Sequence, residues 1–169
     1  VVIASKADLE TPFPEPTHSI ADSSGDLFGV NLKRTPNIWE AISDLPPINA
    51  REGAEEMEYG DSPSTKYQKV MRIGARDKLH NHLSMKHGKR MVERFASMKW
   101  GDTIKDVPAH LMPIKRNSNG EVRSSGYDQS NRRMHPNKQC HTIPASFYAN
   151  FVHPYFDRNF TAREGARLQ

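Results

Sequence analysis

The sequence has a single cysteine, Cys140, in 169 residues. An intrachain disulfide is therefore excluded, and a reducing compartment, the cytosol, is the expected setting. No window approaches the ~20 consecutive apolar residues that a membrane-spanning helix needs. No cationic-then-apolar stretch near Val1 has the form of a secretion signal. Internal repetition is absent at any period from about 20 to 50 residues, which argues against a solenoid or propeller. Also missing are a GxSxG elbow, a phosphate-cradling glycine loop and a GxGxxG turn, the short motifs of hydrolases and nucleotide binders. Aromatic residues make up only 8% of the chain, and the mean hydropathy is -0.77.

What is abundant is proline, glycine and charge. Twelve prolines and ten glycines indicate one small domain with much irregular structure, and 26% of residues are charged. The net charge of +4 conceals a division. Residues 1–61 carry four Lys/Arg against twelve Asp/Glu, a net of −8; residues 62–169 carry twenty against eight, a net of +12. A cationic stretch of that size can neutralise phosphates and release their counterions. A charged, solvated surface docking on the acidic first third is the competing reading.

Local patterning predicts the elements. The β-branched run VVIAS at 1–5 suits a buried strand, and the proline-rich residues 9–26 read as loop. Thr35-Pro36 has the form of an N-cap and first-turn proline for NIWEAISDL, with Ile38, Ala41, Ile42 and Leu45 on one face. Pro46-Pro47 would end that helix, and the glutamates at 52, 55, 56 and 58 read as an acidic connector. STKYQKVMRI spaces Tyr67, Val70 and Met71 as the inner face of a short helix. GKRMVERFASM does the same with Met91, Val92, Phe95 and Met98, where core packing is the expected role. Residues 113–131 have no periodicity and read as a loop or hairpin. CHTIPAS reads as a strand, FVHP as a second extended piece, and 161–169 as a closing helix.

His80, His82 and His87 are close in sequence, but zinc sites use three or four ligands at set spacing, and Cys140 is far away. No metal is expected. Cys140 and His141 would point to opposite faces of a strand and so cannot pair as nucleophile and base. The basic turn NRRMHPNK is stronger: Arg132, Arg133 and Lys138 flank His135-Pro136 and can clamp phosphates or reach guanine edges. Lys115, Arg116 and Arg123 lie just upstream.

Read together, HPNKQCHTIPAS, FVHP and RNFTAREGARLQ resemble the C-terminal region of cytosine-5 DNA methyltransferases. The ninth conserved block of that family has the form Arg-x-Leu-Thr-x-Arg-Glu-x-Ala-Arg. Arg158, Thr161, Arg163, Glu164, Ala166 and Arg167 fit it without interruption, with Phe160 in the leucine position. Thr142-Ile143 matches the family's Thr-aliphatic pair, which lies close to DNA near the flipped base. VVIASK resembles the strand after the eighth block, and PNIWEAISDLPPI resembles the opening of the target-recognition region.

The resemblance implies an irregular α+β fold of short strands, a few short helices and long loops. Residues 1–30 would be strand and loop leaving a catalytic domain, 31–157 the target-recognition domain, and 158–169 the start of the helix returning to the catalytic domain. The expected DNA contacts are Arg132, Arg133, Lys138 and Thr142, with Lys115, Arg116 and Arg123 beside them. Arg158, Thr161, Arg163, Glu164 and Arg167 would hold the closing helix to the scaffold. The family's cofactor loop, Pro-Cys nucleophile loop and Glu-Asn-Val acid would lie upstream of Val1, and the tenth block downstream of Gln169. The chain would then be a piece of a longer enzyme or the smaller chain of a split one. By itself it would hold neither catalytic nor cofactor-binding residues. S-adenosylmethionine would serve the complete enzyme. Double-stranded DNA and the catalytic domain or subunit would be its partners, in the cytoplasm at the nucleoid, with no membrane. A non-catalytic nucleic-acid-binding module and a protein-interaction domain for an acidic partner remain the alternatives.

Overall fold

A computed structural model describes residues 6, 15, 17–19, 32–75, 77–113, 115–116, 122–123 and 131–169. The chain divides into two units, Val1–Thr35 and Pro36–Gln169. In the first, β1 (His18–Ser19) runs parallel to β2 (Lys33–Arg34), with His18 opposite Lys33 and Ser19 opposite Arg34. The strand expected at 1–5 and most of the loop expected at 9–26 lie outside the described residues.

The second unit opens with α1 (Ile38–Ile42). Its cap is Asn37 rather than the expected Thr35. The Asn37 side chain accepts from the Glu40 N–H at 2.8 Å, and the Glu40 carboxylate accepts from the Asn37 N–H at 2.9 Å. This reciprocal box wins because it satisfies two otherwise unpaired backbone donors. Ile38, Ala41, Ile42 and Leu45 are all buried, as their spacing predicts. The N–H groups of Ile38 and Trp39 in the first turn donate to the carbonyls of Lys138 and Pro136, both at 3.0 Å. The helix start thus anchors the basic turn.

The glutamates expected in a connector instead form β3 (Gly53–Glu58), antiparallel to a later strand, β4 (Lys78–Leu83). Opposite charges favour the pairing: Glu58 faces Lys78, which also reaches Glu56 as an ion pair, and Glu56 faces the polar ring of His80. Between the strands, α2 (Lys66–Met71) starts with a second capping box, Thr65 with Gln68. Its inner face differs from the expected one. Gln68 is fully buried and bonds Glu40 and Ser43, whereas Val70 and Met71 are 57% and 40% exposed. An amide with several partners on α1 displaces the aliphatic face because each partner would otherwise be buried unpaired.

Next, α3 (Lys89–Ala96) buries Phe95, and Met98 beyond it is buried as well. A 3-10 turn follows at Ala109–Leu111. In the segment expected as loop or hairpin, β5 (Lys115–Arg116) pairs antiparallel with β6 (Val122–Arg123). β7 (Arg132–Arg133) then runs parallel to β8 (Phe151–Val152), which is the extended piece expected at FVHP. The strand expected at 140–146 does not form. Pro144 has no N–H for a ladder, and its carbonyl accepts from Phe147 at 3.0 Å, turning the chain into α4 (Phe147–Asn150). Finally α5 (Ala162–Leu168) starts at a third capping box, Thr161 with Glu164.

Among the described residues two apolar clusters fill this unit. One joins Ile38, Ile42, Leu45, Leu79, Met134, Phe151 and Phe160; the other joins Phe95, Met98, Ile104, Val107, Leu111 and Val152. β8 supplies a residue to each, so it ties them together. The fold is a mixed α+β arrangement of two-stranded sheets and short helices.

Candidate nucleic-acid interface

Behind the basic turn lies a buried network of charge. Arg158 is fully buried and grips Glu164 with both ends of its guanidinium, NH1 to Oε2 at 2.7 Å and NH2 to Oε1 at 2.8 Å. Its Nε donates to the Ile48 carbonyl at 2.8 Å, and Glu164 Oε2 also accepts the Thr161 N–H at 2.8 Å. Burial works against ionisation of Glu164, but the charge and hydrogen bonds of Arg158 outweigh it and hold the carboxyl down at about 2. His153 Nε2 lies 3.6 Å from Glu164 Oε1, while its Nδ1 accepts from the N–H groups of Tyr155 and Phe156. Desolvation pushes this histidine down to about 3, so it is neutral at physiological pH. His82 is lowered too, chiefly by burial. Its Nε2 donates to the Pro46 carbonyl, so Nδ1 accepts the Thr161 hydroxyl at 3.0 Å. The start of α5 is therefore tied to β4 and to the segment after α1.

The far end of α5 is tied down separately. Arg167 makes a forked pair with Asp44 at 3.2 Å, and Arg72 reaches the same carboxylate at 2.7 Å. The Arg72 guanidinium lies 3.7 Å from the centre of the Tyr59 ring. Arg163 is partly exposed, and its Nε donates to the His80 carbonyl at 2.7 Å. Asp44, the common acceptor of two arginines, carries no local signature in the sequence.

The four expected DNA contacts whose side chains are described separate by burial. Lys138 and Thr142 are exposed, and Arg132 is half-buried with NH1 on the Gly101 carbonyl at 3.3 Å. Arg133 does not share that surface: it is 5% exposed, which corrects the expectation of a DNA-facing side chain. Its guanidinium donates to the carbonyls of Phe95, His153 and Pro154 and pairs with Asp157. Adjacent residues on β7 point to opposite faces, so one arginine of the pair enters the interior while the other stays at the rim. Lys115, Arg116 and Arg123 lie on the β5–β6 pair; their side chains are outside the described residues.

The remaining candidates have local explanations. Cys140 is half-buried, and burial pushes its thiol up to about 12, so it is not poised as a thiolate. Among the described residues no group of His, Cys, Asp and Glu could hold a metal ion. His80 lies 3.9 Å from Glu56, and His82 is spent on the network above. No described helix is long and apolar enough to cross a membrane. An open hollow of about 720 Å³ is lined by Arg51, His87, Lys89, Glu93, Tyr155 and Asp157 among others. Among the described residues no glycine lines it, so the hollow has no glycine-rich turn of the kind that grips a nucleotide cofactor.

No protein-family model matches the chain. Among curated proteins it is 46% identical over 133 residues to the type II methyltransferase M.DdeI of Desulfomicrobium norvegicum, a match covering 79% of this chain and 32% of that protein. It is 26% identical over 212 residues to the type II methyltransferase M.AgeI of Thalassovita gelatinovora, covering 92% of this chain and 49% of that one. A shorter match, 39% identical over 49 residues, is to DNA (cytosine-5)-methyltransferase 3 of Zea mays and covers 29% of this chain and 5% of that protein. Among solved structures, one described as a DNA modification methyltransferase encoded within a prophage (E. coli) shares the fold. Its TM-score is 0.53 at 19% identity, over 87% of this chain and 40% of that one. The chain is thus homologous to type II methyltransferases and spans about a third of the first relative and half of the second.

Proposed function

We propose that this chain is the DNA-recognising part of a cytosine-5 DNA methyltransferase, with residues 31–157 as the recognition domain and 158–169 leading back to the catalytic domain. The observation that carries this reading is the 46% identity to M.DdeI across most of the chain. The maize relative's name supports the cytosine-5 assignment. Exposed Lys138 and Thr142, with Arg132 at the rim, support a DNA-facing surface on the turn that α1 anchors. In this reading the other parts of the enzyme supply the nucleophile and the site for S-adenosylmethionine, which provides the methyl group.

The division of labour follows from the chemistry. A cytosine inside a duplex is out of reach, so it is extruded at a cost of a few kcal/mol, least where the duplex is already disturbed. A separate surface must hold the duplex by its phosphates and read neighbouring base edges. Arg132 and Lys138 supply cations for phosphates, and the Thr142 hydroxyl supplies a short polar contact. Arg158, Thr161, Glu164 and Arg167 fix α5 so that this surface is held rigidly against its scaffold. Duplex DNA and the catalytic domain are the partners, and the site of action is cytoplasmic DNA.

Fluorescence-polarisation titration of the chain with duplex DNA at increasing salt tests the reading. Binding should weaken steeply and linearly on a log–log plot as phosphate contacts release counterions. Absence of binding even at low salt would overturn it.

A further inference from the structure

We propose that Trp100, His135 and Tyr155 form an aromatic ledge that takes an unstacked base of the substrate DNA. The inference rests on the DNA reading above and adds a base-binding site to it. The Trp100 ring centre lies 5.1 Å from that of His135 and 5.7 Å from that of Tyr155. Tyr155 in turn packs edge-on against Trp39 at 4.7 Å. Trp100 and Tyr155 are 46% and 47% exposed, and none of the three ledge residues belongs to either apolar cluster. A tryptophan serving the core would be inside one of them.

The ledge is held in place before any ligand arrives. The Trp100 indole N–H donates to the Pro154 carbonyl at 3.0 Å, so the polar edge is spent on the protein. The turn beneath it is fixed by the Lys99 N–H on the Asp102 carboxylate and by Gly101, whose φ of 93° lies in the left-handed region. Gly101 donates to the Arg133 carbonyl at 2.8 Å, and Arg133 returns a bond to the Asp102 carbonyl at 2.9 Å. His135 Nδ1 accepts from the Asn137 N–H, which leaves Nε2 as the ring's donor for a base or phosphate oxygen. Rigid aromatic surface of this kind binds at low entropic cost.

Charge decides between a base and an apolar peptide. Lys99 precedes Trp100 directly, Lys138 follows His135 by three positions, and both lysines are exposed without an ion-pair partner among the described residues. Nearby carboxylates are already engaged, Asp102 by the Lys99 N–H and Asp157 by Arg133. Exposed rings interleaved with cations suit a nucleotide, which presents a flat π-face and an anionic backbone together. An enzyme that extrudes one base leaves its pairing partner and neighbours unstacked, and these need a surface.

The test uses Trp39→Phe, which makes Trp100 the sole tryptophan, and two short duplexes of one sequence, intact and with a single-base bulge. The bulged duplex should quench Trp100 fluorescence, shield it from acrylamide and bind about tenfold more tightly than the intact one, as expected for one stacked base. Trp100→Ala should abolish that preference, and Trp100→Phe should largely retain it. Should Trp100→Ala lower the melting temperature, the shielding measurement still decides. Equal binding of both duplexes with Trp100 left open to acrylamide would overturn the ledge and leave the DNA reading standing. Binding of neither duplex would overturn both.

Discussion

Arg158 and Glu164 show what a single pair of residues contributes. Both are buried and fully engaged, so their value lies in being matched: the Coulombic gain offsets two desolvation costs only while both partners are present. Arg158→Ala would leave a carboxylate buried beside no cation and should destabilise the chain by about 3–5 kcal/mol in urea unfolding. Proton linkage gives a second prediction. Glu164 falls from an ordinary 4.5 to about 2 on folding, and His153 from 6.5 to about 3. In each case the unfolded chain binds more protons, so stability rises with pH. The urea midpoint should therefore be level between 6.5 and 9, fall below 6.5 as His153 of the unfolded chain takes up a proton, and fall again below 4.5. A midpoint that rises on acidification would contradict this assignment. The Arg158 and Glu164 positions are legible as a motif. The Arg167–Asp44 pair is not, because its partners are 123 residues apart.

At the scale of elements, the capping boxes Thr65–Gln68 and Thr161–Glu164 fix the starts of α2 and α5 with residues three apart. For α1 two local rules compete, and Asn37 prevails over Thr35-Pro36 because its partner Glu40 is correctly spaced. The β3–β4 pair was less legible, since glutamates have poor strand propensity and only the facing His80 and Lys78 favour the ladder. Gly53 begins β3 at φ 97°, and a Cβ there would stand 2.1 Å from the His82 carbonyl oxygen. Gly53→Ala combines a disfavoured backbone with a clash against backbone, so a loss of about 2–3 kcal/mol is expected. Thermal unfolding of the variant measures it; wild-type stability would mean that the ladder can yield at this edge.

Over the whole molecule, the acidic first third and basic remainder set the electrostatic character. If Arg132 and Lys138 each meet a phosphate, replacing both by Ala should lower the magnitude of the log–log salt slope by about two and weaken duplex binding roughly uniformly across sequences. An unchanged slope would remove them from the interface. Arg133→Ala should behave differently, because its guanidinium bonds three backbone carbonyls and Asp157 inside the fold. Its main effect should be on stability.

The sequence by itself determined the apolar faces of α1 and α3, the starts of α2 and α5, and the separation of charge. Each of these depends on residues within about a turn of one another. Only the tertiary structure decided which arginines are available to a ligand. Arg132 and Arg133 are neighbours of the same chemistry, yet one is at the rim and the other is enclosed by Phe95, His153 and Pro154. Their roles diverge because burial of a charge depends on carbonyls and carboxylates brought together from distant segments, and no local pattern encodes that meeting.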